Sequence, residues 1–77
     1  MAKPKRLADQ KADAIRKKIS ENVKRLRADR SQADVYQGAG VSKFTLQQTE
    51  YSHANPSIET LMRLADYFGV NLEDIIK

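Results

Sequence analysis

The segment Gln32-Ala-Asp-Val-Tyr-Gln-Gly-Ala-Gly-Val-Ser-Lys-Phe-Thr-Leu-Gln-Gln-Thr-Glu50 decides how this chain folds. Ser31 stands three residues before Asp34, the S-x-x-D signature that opens a helix. Gly38 weakens that helix and Gly40 stops it, because glycine takes left-handed backbone geometry without a Cβ clash. Ser42 then caps a second helix, predicted over about Lys43–Tyr51. The spacing therefore predicts two short helices meeting through a tight Gly40-Val41-Ser42 turn, a helix-turn-helix. Val35 and Val41 fill the angle between the helices, and Leu46 packs down from the second. At about 100° per residue, Phe44, Gln47, Gln48 and Tyr51 lie away from Leu46 and face outward.

The segment sits in a chain of alternating helices and caps. Before it, Leu7, Ile15, Ile19, Val23 and Leu26 form one apolar stripe, which predicts a helix from about Ala8 to Arg30 that is firm from Ile15 onward. After it, Ser52 to Asn55 reads as a loop. Pro56 and Ser57 start a fourth helix whose Leu61, Met62, Leu64 and Phe68 are expected in the core, and Gly69 ends it. Asn71 caps a last helix, Leu72–Ile76, with Glu73 and Asp74 in its first turn. The fold class is all-α, with five helices. The expected division is residues 1–14 as a basic, partly helical N-terminal arm and 15–77 as the folded domain.

Composition narrows the chemistry. The 77 residues carry 14 Lys+Arg, 10 Asp+Glu, one His and no Cys, for a formal charge of +4. Disulfides, thiol nucleophiles and Cys-ligated zinc are excluded. No apolar run reaches the roughly 18 residues of a membrane span and the N-terminus has no apolar signal core, so a soluble, cytoplasmic protein is expected. No Gly-rich phosphate loop is present, and one His offers no catalytic or metal-binding partner set, so the expectation is no enzyme, no metal and no cofactor. The net charge conceals an asymmetry: residues 1–30 carry +7 and residues 31–77 carry −3. A basic end on an acidic body points to an anionic partner, nucleic acid ahead of membrane. A face of long amides with an aromatic ring suits the base edges of a major groove.

These residues resemble the phage lambda-repressor/Cro-like, or Xre-type, helix-turn-helix proteins. Ser31-Gln32, Gly40-Val41-Ser42, Glu50, Asn55-Pro56-Ser57, Glu59-Thr60-Leu61, Leu64-Ala65 and Gly69 through Asp74 stand at that family's spacing, from about Ile19 to Ile76. The resemblance implies a five-helix, lambda-repressor-like DNA-binding domain and a transcriptional regulator, a repressor, binding a pseudo-palindromic operator as a homodimer. It places Lys43, Phe44, Gln47 and Gln48 at base-reading positions. It places Gln32, Ser42, Thr45, His53 and Asn55 at phosphates, with Lys3, Lys5 and Arg6 on an arm that follows the DNA. Gly40, Val41 and Leu46 are structural, and Glu50 would pair with a first-helix arginine, Arg25 or Arg27. Leu72, Ile75 and Ile76, on a helix too short to bury fully against one monomer, would form the dimer interface.

Departures from the pattern are informative. Arg30 runs straight into Ser31 where the family carries a Gly-hydrophobic pair, Tyr36 replaces a small residue against the turn, and Thr49 replaces an aliphatic one. Lys43 is the only Lys/Arg between Ser31 and Ile58, so first-helix and arm bases must supply most phosphate attraction. Phe44 has a second reading as a core or dimer-interface aromatic. A competing function stays open: an antitoxin that binds a protein toxin and autorepresses its promoter. An RNA-binding module lacks the aromatic platforms expected for single strands. With the last helix at the chain's end, no small-molecule effector is expected.

Overall fold

The computed structural model describes residues 6–51 and 55–77. Among them the elements run α1 (Leu7–Arg27), α2 (Gln32–Ala39), α3 (Lys43–Thr49), α4 (Ile58–Phe68) and α5 (Leu72–Ile76), with no strand. Four of the five helix starts are tied by short polar side chains, and α1 opens at Arg6 without one. The Ser31, Ser42 and Ser57 hydroxyls accept from the backbone N–H of Asp34, Thr45 and Thr60, at 3.0, 3.0 and 3.1 Å. Asp74 Oδ2 accepts from the Asn71 N–H at 3.0 Å, tying down the start of α5. The α2 helix stops at Gly40, whose φ of 74° lets both its own N–H and that of Val41 reach the Tyr36 carbonyl.

Ile19, Val23, Val35, Leu46, Leu61, Leu64, Ala65 and Ile75 form the buried core, so every helix contributes. The α1 helix packs chiefly on α5 and also touches α3, while α2 packs on α3 and α4. One core expectation fails, and the apolar stripe of α1 is not buried along its whole length. Met62 is 51% exposed and Ile15 is 46% exposed. Met62 and Ile58 lie one turn apart on the flank of α4 away from Leu61 and Leu64. The apolar stripe of α1 overruns the body it packs on, and no described residue before Ile19 is buried.

The first helix also ends three residues earlier than its pattern predicts. Arg30 N–H bonds the Arg27 carbonyl at 3.0 Å, closing a four-residue turn over residues 27–30. Ala28 occupies the first central position of that turn with φ 52° and ψ −123°, the geometry of a type II′ turn that glycine favours. The short Arg30–Ser31 junction is thus accommodated by a strained alanine. Tyr36 is half-buried and packs on the core rather than leaving it. Thr49, 1% exposed, satisfies its hydroxyl by donating to the Thr45 carbonyl at 2.7 Å, so a polar residue sits in the core without an orphan.

Gly38 has a role that helix propensity hides. A Cβ there would run into the Tyr67 ring of α4. Its absence lets α2 and α4 approach with the ring between them, edge-on to Phe68 at 5.3 Å and capped by the Arg30 guanidinium at 5.5 Å.

Candidate nucleic-acid interface

The α3 helix owes its orientation to three ties. Leu46 and Thr49 are buried beneath it. Ser42 Oγ caps its start and also donates to Thr45 Oγ1 at 2.8 Å. At its far end Glu50 is clamped by Arg27, with Nε to Oε2 at 2.8 Å and Nη2 to Oε1 at 3.0 Å. Gln32 Nε2 adds a third donor to Glu50 Oε1 at 3.2 Å. One carboxylate thereby joins α1, α2 and the end of α3. Arg25, the alternative partner, turns instead to Asn22 Oδ1 at 3.1 Å. Arg27 Nη1 also donates to the Arg30 carbonyl at 3.1 Å, so the same guanidinium braces the strained turn at Ala28.

This frame presents a defined outer face. Lys43, Phe44 and Gln48 are exposed, with Phe44 at 69%, and Gln47 is half-buried beside them. Phe44 is therefore not a core aromatic. Lys24, Gln32, Phe44, Gln47, Gln48, Glu50 and Tyr51 line one open groove along α3. On the other side, Phe44, Thr45 and Gln48 share a second groove with Asn55, Ser57 and Thr60. The Ser42–Thr45 pair and the matching Ser57–Thr60 pair, whose hydroxyls bond at 3.0 Å, line a third hollow with Arg63. Arg63 itself holds the turn by donating to the Gly40 carbonyl at 2.9 Å. Arg6 is exposed at the start of α1, while Lys3, Lys5 and His53 lie outside the described residues.

A turn closed at Gly40, a second helix held outward, and amides on its free face are the geometry of a groove-reading element. A helix-turn-helix family model of the Cro/C1, Xre-like type matches residues 23–75, more than half of the chain. The chain belongs to the helix-turn-helix family. Neither the curated proteins nor the solved structures gave a match. The matched segment opens at Val23 and closes at Ile75, two fully buried residues whose helices pack on each other. This helix-turn-helix protein is a DNA-binding regulator. No helix among the described residues is long and apolar enough to cross a membrane.

The dimer patch expected on α5 needs correction. Ile75 is fully buried within the monomer, so its side chain is not available to a second copy. Sequence reasoning missed Asn22 on α1. It is 8% exposed, and its Nδ2 donates to the Ile75 carbonyl at 2.8 Å and the Lys77 carbonyl at 3.3 Å. Those bonds pin the C-terminal end of α5 onto α1, where Ile75 is part of the core. A polar residue inside an apolar helical stripe was the available signal. Leu72 and Ile76 remain half-buried.

Proposed function

We propose that this helix-turn-helix protein is a cytoplasmic transcriptional repressor that binds a pseudo-palindromic operator as a two-fold dimer, with α3 in the major groove. The observation that carries the reading is the outer face of α3. Lys43, Phe44, Gln47 and Gln48 project from a helix fixed at both ends, so their positions are set before DNA arrives. Glutamine pairs bidentately with adenine N6/N7, lysine donates to guanine O6/N7, and an exposed phenyl ring packs on a thymine methyl. Ser42, Thr45, Asn55 and the Gln32 end of α2 flank that face and supply phosphate contacts, a role also assigned to His53. Lys3, Lys5 and Arg6 add sequence-independent attraction.

For the dimer, the half-buried Leu72 and Ile76 provide the apolar surface of α5, and Ile58 at 68% and Met62 at 51% exposure provide that of α4. Two-fold pairing would set the recognition helices about 34 Å apart, one turn of duplex. The antitoxin reading has one observation in its favour, the exposure of Leu7 and Ile15 (65% and 46%) on the projecting part of α1, a surface that a protein partner could cover. A toxin gene beside this one would favour it.

Selection of bound duplexes from a random pool tests the proposal. The expected product is a sequence with two inverted half-sites about one helical turn apart. Gln47→Ala with Gln48→Ala should relax one block of each half-site and cost about 1–3 kcal/mol per lost base pairing. A single half-site would overturn the dimer. Unchanged selectivity in the double variant would overturn the groove assignment.

A further inference from the structure

The cations of α1 divide into two sets. Its arginines are occupied inside the molecule: Arg16 by Asp13 at 2.9 Å, Arg25 by Asn22 at 3.1 Å, and Arg27 by Glu50 at 2.8 Å. Lys11, Lys17, Lys18 and Lys24 are exposed and form no ion pair among the described residues. The planar guanidinium groups hold fixed partners, and the ammonium groups remain as mobile point charges.

Helical spacing sorts these lysines into two lines. Lys17 and Lys24 are seven residues apart and share one line along α1. Lys11 and Lys18, also seven apart, share another, about 100° around the axis from the first. The tertiary structure distinguishes them. Lys24 lines the groove along α3 together with Gln32, Phe44, Gln47, Gln48 and Tyr51. Neither Lys11 nor Lys18 borders that groove, and Lys17 continues the line of Lys24 two turns toward the N-terminus without bordering it. The groove's one carboxylate, Glu50, is taken up by Arg27 and Gln32.

We propose that Lys24 and Lys17 form a phosphate-contacting rail on α1, which holds the DNA backbone beside the base pairs that α3 reads. The proposal rests on the DNA-binding reading and assigns the attraction of α1 to one of its two lysine lines. Seven residues advance about 10 Å along a helix. Phosphates of one strand advance about 3.4 Å each along the duplex, so the pair spans about three nucleotides. The placement answers a deficit on α3, where Lys43 is the one cation. Glu21 lies between the two lysines, four residues after Lys17 and three before Lys24, and is exposed without an ion pair among the described residues. Its carboxylate faces the same phosphates and opposes them.

The test is fluorescence anisotropy of the full chain on a labelled, mixed-sequence B-DNA duplex across a salt series, with circular dichroism to establish that each variant is folded. Lys17→Gln with Lys24→Gln should flatten the slope of log affinity against log salt by about 0.9 per lysine in each bound protomer. Lys11→Gln with Lys18→Gln removes the same charge from the other line and should leave the slope close to that of the parent. Glu21→Gln should tighten binding severalfold at low salt. If both lysine pairs flatten the slope equally, net charge rather than a rail is acting and the proposal falls. It falls equally if Lys17→Gln with Lys24→Gln changes nothing, or if Glu21→Gln weakens binding. A parent chain that binds no duplex at any salt would defeat the DNA-binding reading itself, a result distinct from parental binding with an inert rail.

Discussion

Replacing Arg27 by methionine, in a cycle with Glu50→Gln, tests the tie on which the recognition helix depends. The substitution keeps the aliphatic stem and removes the charge, leaving Glu50, whose side chain is 8% exposed, with Gln32 as its remaining donor. Removing one partner of a buried ion pair costs about 3–5 kcal/mol, because the other charge stays desolvated. Arg27 is 23% exposed, so solvent reaches part of the site and the lower end, about 3 kcal/mol, applies. A domain of this size loses about 4–8 °C in Tm per kcal/mol, which gives a fall of roughly 12–24 °C. Glu50→Gln should cost less, about 1 kcal/mol, since the surviving guanidinium reaches water and the amide oxygen still accepts. In the double variant no charge is stranded, and the coupling should be about 2 kcal/mol. Urea unfolding followed by circular dichroism measures all four corners of the cycle. A loss below about 1 kcal/mol for Arg27→Met, with no coupling to Glu50, would mean that the pair behaves as a surface salt bridge and does not fix α3.

Two backbone predictions have signs opposite to simple expectation. Ala28→Gly should stabilise the chain by about 1 kcal/mol, since relief of roughly 1–3 kcal/mol of positive-φ strain exceeds the added flexibility of the unfolded chain; a lower Tm would show that the turn at residues 27–30 does not hold Ala28 in this conformation. Gly38→Ala should destabilise by about 1–3 kcal/mol, although helix propensity alone favours alanine by roughly 1 kcal/mol, because the new methyl meets the Tyr67 ring. Stabilisation in thermal melts would refute the close approach of α2 and α4.

Much of this architecture was legible in residue order because it depends on local chemistry. Ser31, Ser42 and Ser57 announce helix starts through hydrogen bonds to residues three positions on, and Gly40 and Gly69 announce stops. Outward placement of Phe44 and Gln48 follows from helical periodicity once Leu46 is buried. Boundaries were less legible where the decision was not local. The α1 pattern continues to Arg30, yet the helix stops at Arg27 because the turn to Ser31 must reverse the chain within four residues.

What the sequence alone determined was five helices, their caps, an apolar seam and a nearly neutral recognition face beside a basic N-terminal segment. Those properties are set by neighbours within about one or two turns. The tertiary structure decided which long-range partner each polar group took. Arg27 rather than Arg25 reached Glu50, Asn22 bonded the end of α5, and Ile75 entered the core. It likewise turned Lys24, and not Lys11, Lys17 or Lys18, toward the groove along α3. Two arginines separated by two residues look alike in sequence but lie about 160° apart around the helix, and only packing against α3 and α5 decides which direction holds a partner.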